Sequence, residues 1–162
     1  MATMQYDTKS QHMNASGLAV PFRTRLKGYN VFASSATAGQ AYFYDTSSVS
    51  ATYTRATTVV TVTYENHGLY ANQWVYLDFT SGGALDGLYQ VTAVTANTFT
   101  ISTVASGTIA TSNVTAYLNM LMIVDTNSTT ATSLLIPGEG ILARGGIQVV
   151  LAGNQSCTVF YG

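Results

Sequence analysis

Charge is what this chain has least of. Only 8% of its 162 residues are Asp, Glu, Lys or Arg, against roughly 25% in an ordinary soluble domain. Charge normally keeps a free monomer in solution, so its scarcity predicts a surface covered by sister copies or a larger assembly. The net charge of −1 excludes the basic field that nucleic acid demands. A single cysteine, Cys157, excludes an internal disulfide framework and a cysteine-based zinc site. Long apolar runs are also missing. The longest, Leu118 to Val124, is broken by Asn119 and falls well short of the ~20 residues a spanning helix needs, so no membrane partner is expected. Met1 to Ser10 lacks the apolar stretch of a secretory signal, and synthesis in a cytosol is the expectation. Nowhere do apolar residues recur at helical spacing opposite charged ones.

What is present is strand-forming. Thr, Val, Tyr, Ile and Phe alternate in short runs between clusters of Gly, Asn, Ser and Asp, the pattern of half-buried strands joined by turns. With 14 glycines and two prolines, turns fall mainly to residues that tolerate positive φ. The alternation predicts strands near Arg23–Ser34 and Gln40–Asp45, joined as a hairpin by Ser35 to Gly39. Further strands are predicted near Asn119–Asp125, Thr130–Ile136, Gly140–Ala143, Gly146–Leu151 and Ser156–Tyr161. In Gly146–Leu151 the side chains of Ile147, Val149 and Leu151 share a face. Pro137-Gly138 suits a type II turn. From Thr58 to Tyr64, Val60, Val62 and Tyr64 alternate with Thr, and short strands at Trp74–Phe79, Leu88–Val94 and Thr98–Thr103 follow.

These runs predict an all-β fold: an antiparallel β-sandwich, jelly-roll-like, with a small β-barrel inserted in it. The expected division is a patternless N-terminal arm over 1–16, a sandwich from 17–50 with 116–162, and an inserted barrel over 51–115.

Candidate chemistry is thin. His12 and His67 stand far apart in sequence, and no Gly-x-Ser-x-Gly elbow surrounds a serine, so no nucleophilic triad is selected. His67, directly before Gly68, is expected to order its turn through backbone hydrogen bonds. Asp78 and Asp86 flank the Ser81–Ala84 loop. They can be read as a carboxylate pair, and more readily as turn residues bonding to backbone. No ladder of acidic residues spells a calcium loop. Gly138-Glu139-Gly140 lacks the Gly-Lys-Ser/Thr ending of a phosphate loop. The expectation is therefore no catalytic residue, no metal and no cofactor. Arg23, Arg25 and Lys27 cluster, as subunit or shell contacts together with Tyr6, or as an exposed strand face or a local ion-pair site. Trp74 and Tyr76 alternate on one strand, either as an exposed platform that stacks on a sugar or base or as ordinary sheet packing. Cys157, in an apolar strand with no nearby cation, reads as an inert thiol.

The order Val60-Thr-Val62, Asn66-His-Gly-Leu69, Val75-Tyr-Leu77, Gly87-Leu-Tyr89-Gln-Val91 and Asn97-Thr-Phe-Thr100 resembles a small β-barrel module that recurs in bacteriophage structural proteins. Asn72 stands where these modules usually have glycine, and asparagine is the best substitute at a left-handed position. Outside the module, Arg25-Leu-Lys-Gly28, Leu135-Ile-Pro-Gly-Glu-Gly-Ile141, Gly146-Ile147 and Thr158-Val-Phe-Tyr-Gly162 resemble small phage virion proteins. The resemblance implies a capsid decoration, or cement, protein on the head surface, made in the host bacterial cytoplasm. Its expected partners are its own copies, as a homotrimer, and the major capsid protein. A neck or tail component (connector, spike or fibre piece) and a glycan-binding host-attachment module are the alternatives.

Overall fold

The computed structural model describes residues 8–33, 39–126, 131–152 and 155–162. They form β1 (Lys9–Met13), β2 (Gly17–Val20), β3 (Thr24–Ala33), β4 (Gly39–Asp45), β5 (Val49–Ala56), β6 (Val59–Thr63), β7 (Trp74–Asp78), β8 (Gly87–Val94), β9 (Thr98–Ser102), β10 (Ile109–Tyr117), β11 (Met120–Thr126), β12 (Thr132–Leu135), β13 (Ile141–Ala143), β14 (Ile147–Ala152) and β15 (Gln155–Tyr161). There is no helix among the described residues. The chain divides into two compact units, one of residues 1–47 with 120–162, the other of residues 48–119.

The first unit is a jelly roll. One sheet runs β1-β15-β3-β12, with β13 pairing the remaining length of β3, and the other runs β11-β4-β14-β2. All pairings are antiparallel. Taking β12 and β13 as one interrupted strand, the sheets read first-eighth-third-sixth and fifth-fourth-seventh-second, the double Greek key of a jelly roll. Leu26, Val31, Phe43, Ile147, Val149, Cys157 and Val159 fill the space between the sheets, and Leu151 packs partly against them. In this fold the fourth and fifth strands are neighbours, and Met120 of β11 pairs with Tyr44 of β4. In the chain, the second unit is inserted between β4 and β11.

That second unit is a closed six-stranded barrel in the order β10-β5-β6-β9-β8-β7, with β10 returning to β7. Strict alternation places Val60 and Val62, Val75 and Leu77, Phe99 and Ile101 inside, and closure leaves no unpaired sheet edge. Asn72 has φ 71°, so its left-handed backbone is as the sequence predicts.

Three sequence expectations change. The patternless arm over 1–16 is partly a strand: β1 pairs with β15 from Lys9↔Tyr161 to Met13↔Cys157. As an edge strand it exposes four of its five side chains, so no alternation marks it. Tyr6 lies outside the described residues. Second, β3 and β4 form no hairpin, because they belong to opposite sheets; residues 34–38 between them lie outside the described residues. Third, the turn after β12 centres on Gly138 and Glu139 rather than on Pro137 and Gly138. Gly138 has φ 69° at its first central position, as in the primed turns.

Gly28 shows why one β3 position admits no side chain. A Cβ there would lie 2.6 Å from the Leu134 carbonyl oxygen, because β3 bulges opposite Phe160 and Tyr161 while β12 crosses close beside it.

Candidate functional site

The basic candidates of the jelly roll lie at and just before the start of β3. Arg23 is exposed in the turn before β3, while Arg25 and Lys27 are half-buried on the strand. Arg25 is engaged: its guanidinium pairs with Glu139 at 3.1 Å and donates to the Gly140 carbonyl. His12 on β1 hydrogen-bonds Thr158 Oγ1 of β15 across the ladder. More prominent are exposed apolar side chains at Leu18, Phe22, Phe32, Leu134 and Leu135, the last 76% exposed. Cys157 is fully buried, and desolvation pushes its thiol up to about 12, which removes the reactive thiolate.

In the barrel, His67 does what its turn position predicts. Its Nδ1 accepts from the Leu69 amide at 3.0 Å, and its Nε2 donates to the Thr98 carbonyl at 3.1 Å. That network assigns the proton to Nε2, and the ring sits edge-on to Phe99. Asp86 spans the Ser81–Ala84 loop by accepting from the Phe79 amide at 2.7 Å. Among the described residues no three metal-ligating side chains gather.

Val75 and Leu77 point into the barrel, so Trp74 and Tyr76 lie on its outer surface, both half-buried. Tyr76 meets Tyr117 of β10 edge-on, with ring centroids 5.8 Å apart. Desolvation first, and then the nearby Asp86 and Asp78 carboxylates and Tyr117, hold the Tyr76 hydroxyl above its ordinary pKa.

Trp74 also lines a cleft of about 330 Å³ with Arg55, Leu85, Leu88, Tyr89, Gln90 and the 102–105 segment. The cleft opens where β8 has not yet met β9, since their first paired residues are Val91 and Ile101. Arg55 reaches it from β5. In that strand Tyr53 is buried in the barrel core, and Arg55, two residues on, shares its face; its neighbours Val60 and Ile109 are buried as well. The Nε–H of Arg55 is buried with no hydrogen-bond partner among the described residues. Leaving such a donor unsatisfied costs about 1–3 kcal/mol. A larger concavity of about 560 Å³, lined by Ser50, Thr52, Thr63, Thr80, Asn113 and Thr115 among others, offers hydroxyls and an amide but no charged or aromatic group.

Sequence reasoning singles out Trp74 and misses Arg55. The available signal is twofold: Arg55 is the sole cation between residues 48 and 119, and it stands at an inward position of an alternating strand. No family model, curated protein or solved structure matches the chain, so its function is argued from its own residues.

Proposed function

We propose that the chain is a structural subunit of a bacteriophage particle, a decoration protein that joins copies of itself as a trimer on the outer face of the head shell. The observation that carries this reading is a jelly roll that exposes Leu18, Phe22, Phe32, Leu134 and Leu135. Scattered exposed apolar residues are ordinary. In a chain with 8% charged residues they have few charges between them, and burying them against a neighbour requires little charge desolvation. Jelly rolls recur in viral shells and in lectins; this support is analogy of fold. It agrees with the sequence resemblance to phage virion proteins. The role would be adhesive. A standard interface buries about 1,600 Å², and symmetry repeats each weak contact into avidity.

The test has two stages. Light scattering on the purified protein should give a trimer, and Leu135→Asp, at a site open in the single chain, should shift it to monomer. Phage heads with and without the protein should then rupture at different temperatures. A monomer at all concentrations, or identical rupture temperatures, would overturn the decoration role. A handful of copies per particle, rather than many, would move the protein to the neck or tail.

A further inference from the structure

We propose that the barrel cleft binds a saccharide bearing a carboxylate, with Arg55 pairing the carboxylate and Trp74 stacking on the sugar ring. The inference concerns the barrel alone and holds whether or not the chain is a virion protein.

Arg55 carries the argument. An arginine placed among Val60 and Ile109 with a buried, partnerless Nε–H is poorly explained by packing. Its guanidinium makes no hydrogen bond or ion pair with any described residue and lines the cleft, and because Nε is closed off from solvent, a ligand carboxylate would pair end-on with the two terminal nitrogens. Gly107 keeps the approach tight: a Cβ there would lie 3.1 Å from an Arg55 terminal nitrogen.

The rest of the cleft selects the ligand class. The barrel holds one cation, Arg55, against Glu65, Asp78 and Asp86. A region with that balance repels polyanions, which disfavours nucleic acid and multiply charged phosphates and leaves room for a ligand of a single negative charge. The lining mixes an indole at Trp74, the Leu88 side chain, the Gln90 amide oxygen, whose nitrogen donates to the Asn72 carbonyl at 3.1 Å, and the Ser102 position. An apolar stacking face beside amide and hydroxyl groups suits a ring that presents C–H on one face and hydroxyls around its rim. A volume of about 330 Å³ lies at the small end of ligand sites and suits a single sugar unit. Trp74 pairs with Gln90 across β7 and β8, so the stacking and hydrogen-bonding groups are held side by side on rigid strands.

The chain contains one tryptophan, and it is in the site, so intrinsic fluorescence reads binding directly. Titration of the full-length protein with methyl β-D-glucuronide should give a saturable change in Trp74 emission. The neutral methyl β-D-glucoside should bind at least about tenfold more weakly, because it leaves the Arg55 donor unpaired. Arg55→Met should erase that preference, and Gln90→Ala should weaken both sugars alike. The comparison of the two sugars on the unaltered protein stands even if Arg55→Met misfolds. Absence of a saturable response, or equal response to the two sugars, overturns the proposal. Displacement of the glucuronide by acetate at equal concentration overturns its saccharide part.

Discussion

The buried residues of the barrel are apolar apart from the Tyr53 hydroxyl, whereas those of the jelly roll include Thr24, Asp45, Thr126 and Gln155. Tyr53 satisfies its own hydroxyl by donating to the Ser81 carbonyl at 2.7 Å. In the jelly roll, Asp45 sits at the end of β4, fully buried, and accepts from the amides of Ser47, Arg144 and Gly145 and from the Ser47 hydroxyl. With its amide assigned so that the oxygen accepts from Thr126 Oγ1 and the Gln40 amide, Gln155 also donates to the Gln40 carbonyl at 2.9 Å. Charge is divided as well: Lys9, Arg23, Arg25, Lys27 and Arg144 against Asp7, Asp45, Asp125 and Glu139 in the jelly roll, one cation against three carboxylates in the barrel. A closed barrel specifies itself by closure and alternation. An open pair of sheets needs polar fixings at its strand ends, because register slips there are otherwise inexpensive. The lesson is that the two units should respond to different insults.

The sequence also supplies separate reporters, since the lone Trp74 lies in the barrel and the lone Cys157 in the jelly-roll core. The largest effect is expected from Phe99→Ala, which opens a void in the barrel core at a side chain with no exposure. A loss of about 3–5 kcal/mol is the usual cost. Denaturant unfolding followed by Trp74 emission should shift strongly, while the rate of Cys157 alkylation stays unchanged. An equal shift in both probes would show that the units unfold as one and would break the comparison.

Asp45→Ala comes next and should act on the other unit. It strands three buried amides, at about 2–4 kcal/mol in all, and should accelerate Cys157 alkylation while sparing the Trp74 transition. Burial alone would raise the Asp45 carboxyl, but the amides of Ser47, Arg144 and Gly145 and the Ser47 hydroxyl together bring it below its ordinary 3.8. A carboxyl depressed in the folded state stabilises fully above its unfolded value and loses that contribution as pH falls through the lower folded value. The jelly roll should therefore loosen at pH below about 4, ahead of the barrel, whose core holds no carboxylate. Hydrogen exchange of the Arg144 and Gly145 amides alongside Trp74 emission across an acid titration would read the order. Loss of the Trp74 signal first would reverse the assignment.

Legibility in the sequence follows the same divide. The barrel is legible because Val60 and Val62, Val75 and Leu77, Phe99 and Ile101 alternate strictly, and alternation is the local signature of a strand with one wet face. The jelly-roll strands are legible individually, but their partners are not. Nothing in β3 or β4 says that they belong to different sheets, since the inward pattern is the same against either partner. β1 is hidden because an edge strand held by backbone bonds needs no apolar face. At the cleft, Trp74 is noticeable as an unusual residue type, whereas Arg55 needs the inward parity of β5 before its position becomes strange. Half of the Asp45 network, at Ser47, is local, while the half at Arg144 and Gly145 is remote in sequence and left no sign.

Gln155→Leu sharpens the contrast on a smaller scale. It removes the side-chain bridge from β15 to Gln40 and Thr126 while keeping volume, and should cost the jelly roll about 1–2 kcal/mol, read again by Cys157 alkylation. A change confined to Trp74 emission would contradict the placement of polar fixings in the jelly roll alone.

The smallest effect runs in the stabilising direction and belongs to the barrel. The β5–β6 hairpin turns through Thr57 and Thr58, and Thr57 has φ 57°. A β-branched residue in the left-handed region is strained, because its Cβ crowds the following carbonyl oxygen. Positive φ at the first central position alone is the demand of a type II′ turn, which glycine meets without that crowding. Thr57 Oγ1 donates to the Ala56 carbonyl at 2.6 Å, an exposed bond that water replaces. Thr57→Gly also frees the unfolded chain, which subtracts part of the gain, so a net stabilisation of about 0.5–1 kcal/mol is expected. It should appear in the Trp74 transition and leave Cys157 alkylation where it was. A destabilised barrel would instead mean that the threonine hydroxyl, rather than the backbone angle, decides this turn.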